Sequence, residues 1–335
     1  MRKERVCAAI AHKDTDIVPY NIGLTSVELE AVCAYASIKP EDFFEYAGNH
    51  IEKAIYNSIG ASYIRPGFYR DEYGVVWDRS GLDKDIGIIS EYLINEDNYG
   101  EFVYPEPDIN AIQAVTAKVM NNGRDTFKFG KIGATLFERL WSLRGFEDTF
   151  ADFYLNEDMV DEVLKNITRV NLNIMDVALK TDIDGMYFGD DYGQQTGMLM
   201  SPDTWRKFIK PRLAEMCDKV KSAGKFVALH SCGNIEAIMG DLIDIGVDIY
   251  QTFQPEVYDI DKIKREYGAD LTFWGAISTQ TLLPYAKPAE LVSTVKDLMR
   301  RLSINGGYIA APTHDVPADV PPENICALID FLRNQ

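Results

Sequence analysis

The triplet His230-Ser231-Cys232 is the part of this chain best equipped for chemistry. At the end of a β-strand, side chains two residues apart lie on one side of the pleat. An imidazole nitrogen and a thiolate sulfur can then reach one ion at about 2.0–2.3 Å. Gly233 follows and lets the backbone turn away. The chain has four histidines, and a second one, His314, follows the apolar run 308–311 (YIAA) and Pro312-Thr313. Two imidazoles and one thiolate leave a fourth position open, which suits a catalytic zinc rather than a structural one. His230, Cys232 and His314 are therefore the expected Zn²⁺ ligands. The plainer alternative is a packed histidine beside an inert buried cysteine.

Carboxylates stand at comparable positions. Asp190-Asp191 follows the apolar run 185–188 (GMYF), and Glu138 opens a helical stretch. An Asp pair at a strand end can form a turn or cap a helix. It can also aim one carboxylate at a pocket, to hold substrate or orient a metal-bound histidine. Asp190, Asp191 and Glu138 are the expected catalytic groups, with Glu256 a further metal-ligand candidate. Asn21, Tyr192, Gln254 and Trp274 are expected to contact substrate. Tyr63, Tyr69, Tyr73 and Trp77 could line a flat pocket or simply pack.

Positioning all these groups at one place requires a particular scaffold. From about residue 157, helices at 157–180, 202–222, 234–244, 259–266, 287–303 and 322–333 alternate with apolar strands. The strands fall at 185–190, 225–230, 248–253, 270–275 and 307–311. This rhythm, at a spacing of roughly 25–40 residues, marks successive βαβ units and a parallel sheet. Before it, 2–12 reads as a helix, 17–23 as a strand and 26–60 mainly as helices. Residues 73–79 and 87–92 read as a strand pair outside the main repeat, and 126–134 as another strand. No GxGxxG turn follows the first strand, and polar residues cluster after many strands rather than at one crevice. The expected fold is an α/β (β/α)8 TIM-type barrel, one domain over 1–335, with an N-terminal helical and hairpin elaboration over about 1–125. In such barrels the site lies at the C-terminal strand ends, where the candidates fall.

Composition narrows the function classes. Hydrophobic residues make up 46% and charged residues 26% of the 335, enough for a large core. A formal net charge of −18 repels nucleic acid, and no basic cluster offsets it. Five scattered cysteines do not form a disulfide framework and fit a reducing, cytoplasmic setting. No signal-peptide core and no long apolar run is evident, so no membrane association is expected.

Over nearly its whole length the sequence resembles the uroporphyrinogen decarboxylase superfamily, and its corrinoid-dependent methyltransferase branch in particular. The resemblance is carried by 5–20 (RVCAAIAHKDTDIVPY), 137–148 (FERLWSLRGFED) and 189–211 (GDDYGQQTGMLMSPDTWRKFIKP). It continues through 229–234 (LHSCGN), 272–277 (TFWGAI) and 307–324 (GYIAAPTHDVPADVPPEN). The zinc site of those methyltransferases resembles His-x-Cys plus a distant Cys, and His314 stands here where that distant Cys is expected. The decarboxylases carry an Arg-rich segment after the first strand to grip porphyrin carboxylates, whereas residues 21–27 (NIGLTSV) hold no basic residue. The resemblance therefore implies a methyltransferase working between methylcobalamin or cob(I)alamin and a small-molecule methyl donor or acceptor. O-demethylation is one example, and a metal-free decarboxylase is the alternative. No Asp-x-His-x-x-Gly cobalamin motif occurs in these residues, so the corrinoid is expected on a partner protein, with a homodimer left open.

Overall fold

The computed structural model describes residues 1–57, 59–81 and 87–335. Its central sheet has seven parallel strands among the described residues: β1 (Ile51–Ile55), β6 (Phe127–Ile132), β7 (Gly185–Gly189), β10 (Phe226–His230), β11 (Ile249–Thr252), β12 (Thr272–Ile277) and β13 (Tyr308–Pro312). Each pairs with the next in that order, and the sheet curls with helices packed outside it, a TIM-like α/β fold. Four short antiparallel strands, β2 (Ser62–Arg65), β3 (Phe68–Arg70), β4 (Val76–Asp78) and β5 (Ile88–Glu91), form a separate sheet. A small ribbon of β8 (Gly193–Gln194) and β9 (Gly197–Met198) follows β7.

Two expectations at the N-terminal end change. The strand expected at 17–23 is reduced to isolated bridges, Tyr20 beside Ala310 and Leu24 beside Val316. Pro19 O accepts from Ala310 N at 2.9 Å and Asn21 N donates to Ala310 O at 3.0 Å, while Pro19 itself has no N–H to extend the ladder. Tyr20 O accepts from His50 N at 3.1 Å, so this single residue spans the gap between β13 and the start of β1. The second change is β1 itself, which lies within 26–60 where helices are expected. Glu52 and Lys53 interrupt its apolar pattern. Glu52 points outward to Asn122 at 2.6 Å and Arg124 at 3.1 Å.

The interior of the curled sheet is a distinct core. Ile51, Phe127, Phe129, Tyr187, Ala228, Ile249, Trp274, Ile309 and Ala311 point inward from alternate positions. Val6, Ala9 and Ile10 of the helix Arg2–Ile10 join that cluster. This amphipathic helix packs on β1, β6 and β13 and closes the N-terminal end of the barrel. At the C-terminal strand ends a cavity stays open among the described residues. A larger core between the sheet and the surrounding helices fixes the strands from outside.

Candidate metal centre and cavity

β10 ends at His230, in register with Gly189 of β7 and Gln251 of β11. Gly189 flanks it on one side without a side chain. On the other flank, Gln251 Oε1 accepts from the Tyr187 hydroxyl at 2.9 Å and is bonded to His230 Nδ1. The amide's Nε2 donates to Thr313 O at 3.4 Å. An oxygen cannot donate, so His230 Nδ1 carries the proton and Nε2 keeps a free lone pair. That Nε2 lies 3.6 Å from Cys232 Sγ. The ring of His314 lies 5.6 Å from that of His230, centroid to centroid. Ligand atoms of His230, Cys232 and His314 all fall within 4.8 Å of one another. A tetrahedral zinc with bonds of about 2.0 Å to nitrogen and 2.3 Å to sulfur would set those two atoms about 3.5 Å apart. The donor set and its spacing fit the ion.

The loop after β10 is held at many points. Gly233 has φ +74°, and a Cβ there would come within 2.3 Å of Gly193 C and Gln194 N. Only glycine lets the chain pass the β8–β9 ribbon so closely. Gly233 N donates to Gln254 Oε1 at 2.7 Å, its carbonyl accepts from the Tyr258 hydroxyl at 2.8 Å, and Cys232 N donates to Asp191 Oδ1 at 2.8 Å. These bonds set the Cys232 side chain before any ligand arrives.

The electrostatics suit a cation. Burial pushes the Cys232 thiol upward, and the charges of Asp191 and Glu138 push it further. Burial, then Asp191 and Asp190, hold the Glu138 carboxyl well above its usual range. His230 is drawn down to about 4, chiefly by burial, against the opposing pull of Asp191. The site thus presents a neutral imidazole, a proton-bearing thiol and crowded carboxylates, all of which a divalent ion relieves.

Beside the triad, a cavity of about 160 Å³ opens at the strand ends. Its walls include Lys53, Lys131, Glu138, Tyr187, His230, Gln251, His314 and Asp315.

The family model of uroporphyrinogen decarboxylase (URO-D) matches residues 110–335 of the chain. The chain belongs to that family. Within it, the chain is similar to the methylcobamide:CoM methyltransferase MtaA of Methanosarcina barkeri, 27% identical over 174 residues, which is 51% of this chain and 48% of that protein. A second such protein, from Methanosarcina barkeri strain Fusaro, is 29% identical over 133 residues, 39% of this chain and 36% of its own. The chain thus matches about half or less of the length of these curated relatives. In fold it resembles a methyltransferase from Methanosarcina mazei, with TM-score 0.75 and 20% identity over 99% of this chain and 98% of that one.

The residues expected to surround the metal divide sharply in this family member. Asp191 does face the site, with Oδ1 3.5 Å from His230 Nε2. The histidine-orienting partner, however, is Gln251 on the opposite nitrogen. Asp190 is fully buried and accepts from Leu136 N at 3.0 Å, Phe137 N at 2.8 Å and Glu138 N at 2.7 Å. It caps the helix Phe137–Arg144 across the barrel rim rather than facing the pocket. Tyr192 is also fully buried, edge-on to Trp205. Trp274 lies in the barrel interior, stacked on Phe129, and Gln254 is spent on Gly233. Asn21 is buried beside β13 with its side-chain oxygen unpartnered among the described residues. Tyr192, Trp274, Gln254 and Asn21 do not line the cavity described above.

Glu256 turns to Ser278 and Thr281, away from the triad. The aromatics at 63, 69, 73 and 77 belong to the antiparallel sheet and its connections, which Arg139 ties down through Asp71 at 2.6 Å and Glu72 at 2.7 Å. Arg139 is therefore a buried anchor.

Sequence reasoning missed Lys53, Lys131, Tyr187, Gln251 and Asp315. For Lys131 and Gln251 a signal existed. Phe127, Phe129 and Lys131 alternate on one face of β6, and Ile249 and Gln251 on one face of β11, so the polar member sits inside at the mouth.

Proposed function

We propose that this chain is a zinc-dependent methyltransferase that moves a methyl group between a small molecule and a corrinoid held by a partner protein. The observation that carries the reading is the convergence of His230, Cys232 and His314 at the open end of the barrel. Membership in the URO-D family and likeness to proteins named methylcobamide:CoM methyltransferase support it.

Zinc held by these three residues would supply Lewis acidity to the oxygen or sulfur that gives up or receives the methyl group. The remaining work falls to the chain. Gln251 keeps His230 in the tautomer that offers Nε2. Asp191, through the backbone N–H of Cys232, fixes the thiolate ligand. Asp191, with Oδ1 3.5 Å from His230 Nε2, stands close enough to the ligand cluster to take up the proton that a thiol releases on binding. The helix Arg2–Ile10 packs under the barrel, and the cavity opens at the opposite end, at the mouth. The cavity is small against the about 300–1,000 Å³ of pockets for drug-sized ligands. It suits a compact substrate, with the corrin ring approaching from outside. A tetrapyrrole bound within it, as decarboxylation would require, does not match that size.

The test is metal analysis of purified protein, followed by absorbance spectroscopy of cobalamin mixed with candidate methyl donors and thiols. About one zinc per chain and a zinc-dependent change in cobalt state are expected. Methyl transfer without corrinoid, or a wild-type protein that binds no zinc, would overturn the proposal. Release of carbon dioxide from a tetrapyrrole's carboxylate side chains by metal-free protein would favour the decarboxylase.

A further inference from the structure

The two faces of β11 do different work. Ile249 and Gln251 point into the barrel, while Tyr250 between them points out into the core that joins sheet and helices. Its hydroxyl lies against the loop that follows β10. There it donates to Ser231 O at 3.0 Å and sits 3.0 Å from the Tyr258 hydroxyl. Tyr258 in turn donates to Gly233 O at 2.8 Å and accepts from Ile235 N at 2.8 Å. Both phenols are buried, with their rings edge-on to each other, and neither lines the cavity at the mouth. Phenylalanine would fill the same space, so what the hydroxyls add is their grip on the loop.

Taken one peptide unit at a time, the loop is held from both sides. Ser231 O and Cys232 N belong to one unit. Tyr250 binds its oxygen from outside the sheet, and Asp191 Oδ1 accepts its N–H at 2.8 Å. In the next unit, Gly233 N donates to Gln254 Oε1 at 2.7 Å. In the one after, Tyr258 binds Gly233 O, and Asn234 N donates to Gln194 O at 2.9 Å. A glycine at φ +74° would otherwise leave this stretch loose beside its cysteine. The two metal-ligand candidates on β10 and its loop also differ in kind. An imidazole has a second nitrogen by which Gln251 can orient it, whereas a thiol offers a neighbour no second donor atom. The place of the Cys232 sulfur is therefore set chiefly through its backbone.

We infer that Tyr250 and Tyr258 are positioning residues for the metal centre: their hydroxyls clamp the peptide units on either side of Cys232 and so hold its sulfur 3.6 Å from His230 Nε2. This rests on the proposed function in taking Cys232 and His230 to share an ion.

The experiment compares three variants that each delete one buried phenol hydroxyl and keep the ring. Tyr258→Phe and Tyr250→Phe touch the loop. Tyr308→Phe is the matched control, since its hydroxyl donates to Gly275 O at 3.0 Å on β12. All three should lower the urea midpoint. Only the loop variants should weaken zinc binding by the folded protein, measured by competition with a chromogenic chelator. The loss should be at least about tenfold for Tyr258→Phe, which frees both Gly233 O and Ile235 N, and smaller for Tyr250→Phe. Cobalt(II) in place of zinc should show a shifted thiolate-to-cobalt absorption band in the loop variants and the wild-type band in Tyr308→Phe. Zinc affinities equal to that of the control, or a cobalt band unmoved in both loop variants, overturn the inference. Should wild type bind no metal, the metal reading falls and the clamp is read from iodoacetamide alkylation of Cys232, followed by mass spectrometry. Faster alkylation in the loop variants than in Tyr308→Phe upholds the clamp, and equal rates overturn it. Should Tyr258→Phe not fold, Tyr250→Phe against Tyr308→Phe decides alone.

Discussion

Gln251 holds His230 by Nδ1, so that Nε2 faces Cys232 Sγ across 3.6 Å. Its amide is itself held at both ends, by the Tyr187 hydroxyl at 2.9 Å and by Thr313 O at 3.4 Å. The imidazole is thus oriented through three neighbouring strands. Gln251→Leu removes the acceptor while preserving bulk. Zinc affinity should fall about 10- to 100-fold, as for other partners of metal-bound histidines. Competition with a chromogenic chelator measures it, and an unchanged affinity would mean that His230 is oriented by packing alone.

The ligands themselves should differ in rank. Cys232 is half-buried and becomes the only anionic member of the triad once it loses its proton, whereas His314 is exposed. Cys232→Ala should therefore lower zinc stoichiometry more than His314→Ala, because charge is lost along with a donor atom. Elemental analysis after dialysis gives the comparison. Equal metal content in wild type and Cys232→Ala would remove the centre from the proposed function.

Much of this arrangement was legible in the residues before any coordinates, and the limits are instructive. The regular βαβ rhythm after residue 157 reproduces itself strand by strand, because β7 and β10–β13 are apolar runs buried on both faces. The exception is β1. A strand reading I-E-K-A-I has a lysine turned into the barrel and a glutamate turned to Arg124, so it lacks the apolar signature where a polar mouth needs it. The triad was legible because histidines are rare here and both fall after apolar strands. The roles of the Asp pair were not, although the strand's period contained the answer. Gly185, Tyr187 and Gly189 share one face of β7, the face of Asp191, and leave Asp190 on the other. What Asp190 meets on that other face is the helix start at Phe137, 53 residues away in sequence, and no local pattern carries that contact.

Asp190 should behave as a structural residue. Its carboxylate satisfies three backbone N–H groups at the start of the helix Phe137–Arg144. Asp190→Ala leaves buried donors unpaired, at a cost of about 1–3 kcal/mol or more. Urea unfolding should show the loss, with zinc stoichiometry unchanged in the folded fraction. Asp191→Asn should do the reverse, with near-native stability, metal retained and turnover slowed. If Asp190→Ala unfolded at the wild-type midpoint, the capping role would be wrong.

The pH dependence of stability should carry a mark from Glu28, far from the metal ligands in sequence and absent from the cavity wall. Glu28 is buried, and its Oε1 has no hydrogen-bond partner among the described residues. Burial raises its carboxyl to about 7, with the charge of Asp319 adding to the effect. The folded state therefore holds a proton that the unfolded chain, with an ordinary carboxyl, releases near pH 4.5. Stability from this group is fully present below the unfolded value. It declines as pH rises through the interval and is lost once pH passes the folded value of about 7. Glu28→Gln keeps the neutral shape at every pH. The variant should match wild type in thermal melts near pH 4.5 and exceed it in melting temperature at pH 8. Parallel melting curves for the two proteins across that range would show that Glu28 keeps an ordinary carboxyl in the fold, with a water or a shifted side chain relieving its burial.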